Sequence, residues 1–165
     1  MAINITSSTV ARVQELVFDA FSTNATLDRC KSILATTLAC PTISNMVHKL
    51  AHKYALDIGD GCGDLIEPYN EPVNYGGIAK HIENYTSVKD VMDKVLDVTL
   101  VYQNELNLAY KEILANGDIH VLEGLSKIID KHNSYVEMAI LWKDMVDKYE
   151  DNPCLDVDME HFDKL

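Results

Sequence analysis

Apolar residues recur every third or fourth position through the second half of this chain, and they do so twice. Between 87 and 115, positions 88, 92, 95, 99, 102, 106, 109 and 113 read Val, Met, Val, Thr, Tyr, Leu, Ala and Ile. Between 118 and 149, positions 121, 125, 128, 132, 135, 139, 142 and 146 read Val, Leu, Ile, His, Tyr, Ala, Trp and Val. A 4-3 spacing held this long predicts two helices, each burying one stripe. Thr86 or Ser87 is placed to cap the first, with Asp90 in its first turn. The triplet NGD at 116–118 joins them, with Gly117 ending one helix and Asp118 capping the next. Two long helices joined so tightly must lie antiparallel.

The first half carries the same period less cleanly. Val10, Val13, Val17 and Ala20 form one stripe over 6–39, and Leu27, Cys30, Leu34 and Leu38 form another. Ser22-Thr23-Asn24 between them is either a kink or a break with a new cap. A second helix is predicted after Pro41, which suits a first helical position, and it runs to about Glu67. Residues 68–85, PYNEPVNYGGIAKHIENY, have little periodicity. The order is therefore helix, short turn, helix, long link, helix, short turn, helix. A long link between the second and third helices is the topology of an all-α, ferritin-like four-helix bundle with one crossover. One domain over 1–165 is expected, its core at about 6–149. The tail 150–165 carries six acids and is expected to fray.

Composition narrows the function. The chain has 165 residues and a formal net charge of −12, which argues against a nucleic-acid surface and is compatible with cations. No apolar run approaches the length that spans a membrane. There is no signal-peptide pattern, and Cys30, Cys40, Cys62 and Cys154 form no CxxC pair. A reducing cytoplasm is the expected setting.

The candidate chemistry lies in HKLAHKYALDIGDGCGDLIE, residues 48–67. On a continuous helix stepping about 100° per residue, His48, His52, Asp60 and Glu67 share one broad face, with Asp64 off its edge. His48 and His52 are four apart and can grip one metal together. Asp60 and Glu67 lie about 12 to 28 Å further along the axis. They would need a second site, or one completed by another subunit. An isolated His-x-x-x-His is more often a solvent-facing pair. Gly59 and Gly63 either admit a close neighbour or open the helix near Asp60. A calcium loop starting at Asp60 fails, since its sixth position would be Leu65. His132, on a clean apolar stripe, reads as a hydrogen-bonded core histidine. Glu105 and Glu112 lie beside the third helix's stripe, either facing the second helix as ligands or forming a solvated flank.

The second half also resembles the third and fourth helices of the Dps-type ferritins. The ENYTSV helix start, the acid-rich third helix, and IIDKHNSYVEMAILWK with its late Trp142 carry the resemblance, which extends over about 43–149. It implies a bundle subunit that assembles into a homo-oligomeric shell and binds, oxidises and stores iron. His48 falls on the family's histidine, His52 on the place of the acid one turn later, and Glu67 on the family's glutamate. His48, His52 and Glu67 are thereby implied as metal ligands, helped by Asp60 or Asp64, for iron or another divalent metal. The family's histidine late in helix one is missing, since Thr36 and Thr37 stand there, and the chain has no Glu-x-x-His. The alternative is a non-catalytic bundle without a diiron centre, acting as an assembly or binding module.

Overall fold

Residues 4–165 are described by a computed structural model. Helix α1 runs Ser7–Thr36 and α2 Pro41–Lys53. A short α3 at Asp60–Gly63 prolongs α2, and α4 (Val88–Asn116) and α5 (Ile119–Tyr149) follow. The tail forms α6 (Leu155–Asp158). Helices α1 and α2 pack together, α4 packs on α5, and α1 packs on α4. No strand occurs among the described residues. The segment between α3 and α4 is the long crossover. The predicted stripes are the core. All eight α5 positions are buried, and of the α4 positions only Val88 is half-exposed.

The Ser22-Thr23-Asn24 stretch does not break α1. Its polar side chains find partners instead of competing for the helix. Asn24 donates through Nδ2 to the Ala51 carbonyl of α2 at 2.7 Å, and Thr26 returns its hydroxyl to the Ser22 carbonyl. Ser87 caps α4 by accepting from Asp90 N–H, and Gly117 ends it in the left-handed conformation at φ 81°.

The second helix departs from a regular α-helix. Tyr54–Gly59 is a π-helical turn between α2 and α3. It adds a residue to the turn and rotates everything after it relative to His48. The chain leaves the helix at Gly63, and Glu67 lies in a separate 3-10 turn, Glu67–Tyr69. The common face expected for His48, His52, Asp60 and Glu67 therefore does not exist. Gly59 and Gly63 admit close neighbours: a Cβ on Gly59 would stand 3.0 Å from the Phe21 ring, and one on Gly63 2.9 Å from Val73 of the crossover.

Two further expectations are corrected. Asp118 precedes α5 without a side-chain cap to it. Its carboxylate reaches the start of α1, accepting from Thr6 N–H at 3.1 Å, from the Thr6 hydroxyl at 2.7 Å and from the Thr9 hydroxyl. Burial would push this carboxyl up, yet the Thr9 and Thr6 bonds outweigh it and hold the carboxyl below its ordinary value. The tail does not fray. Leu155 and Met159 are buried. Asp156 accepts from Thr42 and Ile43 N–H at 3.1 and 2.9 Å, capping α2. Trp142 donates through Nε1 to the Phe162 carbonyl at 2.9 Å. The tail's acids fold because they meet free N–H groups and Lys49, which contacts Asp163.

Candidate functional site

Helix α2 places His48 and His52 one turn apart on its solvent side, their rings in T-shaped contact. His48 Nδ1 lies 3.2 Å from Asp28 Oδ1 on α1. A carboxylate only accepts, so Nδ1 carries the proton and His48 Nε2 presents a bare lone pair. That lone pair accepts from His52 Nε2–H at 3.0 Å. Two imidazole nitrogens on one tetrahedral ion stand about 3.3 Å apart, so a small opening, with the His52 proton moved to its Nδ1, lets the pair share a cation. A carboxylate behind the ligating histidine is the usual support of such a ligand.

Asp60, Asp64 and Glu67 are exposed. No group of three His, Cys, Asp or Glu side chains among the described residues converges on a point where a metal could sit. The His48–His52 pair is thus a two-nitrogen site with Asp28 behind it, and the three carboxylates stand apart from it. Glu105 and Glu112 face α1: Glu105 pairs with Arg12 at 2.7 Å and Glu112 with the same guanidinium at 2.8 Å. They form a salt-bridged flank with Glu15, at 2.9 Å from Arg12.

In di-iron bundles the metals sit at mid-bundle, between glutamates from two helices and Glu-x-x-His pairs from the other two. Here the bundle interior holds Tyr54 at the head of the π-turn, Tyr102 from α4, and His132 and Tyr135 from α5. Tyr54 donates to His132 Nε2 at 2.6 Å, and His132 Nδ1 donates to Gln103 Oε1 at 2.6 Å. Tyr102 donates to the Leu16 carbonyl at 2.8 Å. Burial lowers His132 to about 4, so it is neutral with both nitrogens engaged. Burial likewise raises the Tyr54 phenol and pushes the Cys62 thiol up to about 12. This donor set does not fit a carboxylate-bridged pair of metals. It offers no anion to balance their charge, and its one imidazole has no free lone pair.

The core role of His132 was legible from its stripe. Asp28 was not, because nothing in the spacing of α1 pairs it with a histidine twenty residues on. The Tyr54–His132–Gln103 chain was missed for a different reason: His132 occupies a stripe position, Gln103 flanks one and Tyr54 lies in the second helix, and only tertiary packing joins them. Phenols at stripe positions 102 and 135, around a histidine at 132, were the one available signal.

No protein-family model and no curated protein sequence matches the chain. Its structure is similar to an open-pore ferritin from the hyperthermophilic archaeon Archaeoglobus fulgidus, with a TM-score of 0.86 at 8% identity, covering 98% of this chain and 99% of that one. A second structure of an open-pore ferritin from the same archaeon gives a TM-score of 0.86 at 9% identity, covering 96% and 98%. Likeness at this identity shows the fold: an all-α, ferritin-like four-helix bundle. No helix among the described residues is long and apolar enough to cross a membrane.

Proposed function

We propose that this chain is a ferritin-fold subunit that binds a divalent metal at its surface through His48 and His52, without an interior diiron centre. The observation that carries this reading is the facing pair of Nε2 atoms 3.0 Å apart, with His48 oriented by Asp28. Imidazole ligands suit iron, zinc, copper and nickel. Two protein nitrogens leave the remaining positions to water or to a second copy of the chain. The resemblance to Dps-type ferritins, whose metals lie between subunits, supports the second of these, and with it a homo-oligomer. Asp60, Asp64 and Glu67 would then serve only from another subunit. Iron is the cargo that the fold suggests. The mid-bundle donor set does not fit the two metals that oxidation at a diiron centre would need.

A second reading has its own support. The tyrosine-lined interior, with Arg12 tying up Glu105 and Glu112, fits a bundle that serves purely as an assembly or binding module.

Calorimetric titration of the metal-stripped protein with Fe(II) under nitrogen, and with Zn(II), separates the readings. The metal-binding reading expects one saturable site per chain that is lost in His48→Ala and weakened in Asp28→Asn, about 10- to 100-fold for a supporting partner of this kind. Equal binding by wild type and His48→Ala would leave the module reading standing. Light scattering on the same samples tests assembly, and a strict monomer with and without metal overturns the shell.

A further inference from the structure

We propose that Tyr54 and His132 form a buried, proton-coupled redox pair that yields one electron, by way of Tyr135, to a one-electron oxidant at the cleft beside Asp57. This is independent of the surface metal site.

The pair is built for proton transfer. His132 Nδ1–H is committed to Gln103, so its Nε2 lone pair must face the Tyr54 hydroxyl, 2.6 Å away. Both residues are fully buried, so that lone pair is the base beside the phenol. A phenol that loses an electron becomes a strong acid. When Tyr54 is oxidised, its O–H bond breaks and an N–H bond forms at His132 Nε2. The products are a neutral tyrosyl radical, an imidazolium still bonded to Gln103, and an oxidant reduced by one electron. Burial disfavours that imidazolium strongly, so the proton returns as soon as an external reductant supplies an electron.

The pair also has a route to solvent. The Tyr54 ring lies 5.3 Å from the His132 ring, 5.5 Å from Tyr102 and 6.3 Å from Tyr135, centre to centre. The Tyr135 and His132 rings are 5.9 Å apart. Tyr135 then donates to Asp57 Oδ2 at 2.9 Å, where Lys53 and Lys131 stand 3.5 and 4.0 Å from the same oxygen. These residues line a cleft of about 650 Å³. The π-turn makes the arrangement possible. It carries Tyr54 at its head and Asp57 three residues later, so one distorted turn holds both the buried and the surface end of the chain. A core histidine needs a hydrogen bond, but it does not need two tyrosines in series leading to an open cleft. The oxidant is of the class of high-potential metal complexes or peroxide-derived radicals.

Photogenerated tris(bipyridine)ruthenium(III) is the probe, with tyrosyl radicals followed by EPR in the presence of ascorbate. Radicals on exposed tyrosines such as Tyr75 are quenched at once. The wild type is expected to keep a resistant fraction that forms more slowly in D₂O. Tyr54→Phe, which removes one oxygen, is expected to lose that fraction, and Tyr135→Phe to slow its appearance. A wild type with no ascorbate-resistant radical overturns the proposal, whether or not the variants fold. So does a resistant fraction that persists in Tyr54→Phe.

Discussion

His132 is held neutral by its surroundings, and this has a consequence for stability. Burial lowers it to about 4, against an ordinary 6.5. Between those values the unfolded chain binds a proton that the folded chain does not. Stability from this residue is therefore complete above pH about 6.5 and is lost as pH falls through that window, by about 3 kcal/mol in all. Urea melts at pH 7 and pH 4.5 are expected to show a larger loss in wild type than in His132→Gln. Equal losses would mean that the folded protein accepts the proton freely. The variant is also expected to be less stable at pH 7, because the Tyr54 hydroxyl and Gln103 lose a shared partner inside the core. At this scale the sequence disclosed where the histidine sits, since a polar residue on an unbroken apolar stripe has to be satisfied. It did not disclose by what, since hydrogen-bond partners at positions 54 and 103 come from other helices.

The second helix shows what periodicity can and cannot reach at the scale of elements. The stripes of α4 and α5 were readable because nothing interrupts their spacing. The π-turn at Tyr54–Gly59 was not, because it leaves composition unchanged and only adds one residue to a turn. That single residue defeated the shared face expected for His48 and Asp60, and the end of the helix at Gly63 removed Glu67 from it. The glycines mark the place. Alanine at 59 would bring its Cβ to 3.0 Å from the Phe21 ring and 3.2 Å from the Tyr54 carbonyl, whereas alanine at 61 makes only ordinary contact with Ile128. Gly59→Ala is expected to destabilise by about 1 kcal/mol despite its helix propensity. Gly61→Ala is expected to stabilise by about 0.5 to 1 kcal/mol. Thermal melts of the two variants that moved the same way would contradict this account. The tail is a second case, since its acids suggested disorder but sit where α2 leaves N–H groups free. Deleting residues 151–165 uncovers Trp142 and removes Leu155 and Met159 from the core. The expected cost is about 3 kcal/mol or more. Trp142 emission should shift to the red, and an unshifted spectrum would show that the tail does not cover the indole.

At the scale of the molecule, the interior and the surface make separate demands on metal. The bundle is closed by apolar stripes and a neutral Tyr–His–Gln chain, none of which needs an ion to balance it. A chelator is therefore expected to leave the melting temperature where it is, unlike a fold held together by its metal. The surface pair differs, because a ligand that binds only the folded chain stabilises it by mass action, about 2.7 kcal/mol at a hundredfold excess over Kd. Saturating Zn(II) should accordingly raise the melting temperature of the wild type and leave the His48→Ala/His52→Ala double variant unmoved. A chelator that unfolds the protein would place a metal in the interior, against the donor set seen there. A zinc shift that survives the double variant would move the site away from α2, and the carboxylates at Asp60, Asp64 and Glu67 would be the next residues to change. A shift confined to samples that also scatter as oligomers would assign the missing ligands to a second copy. Two imidazoles on one exposed helical turn leave that many coordination positions open.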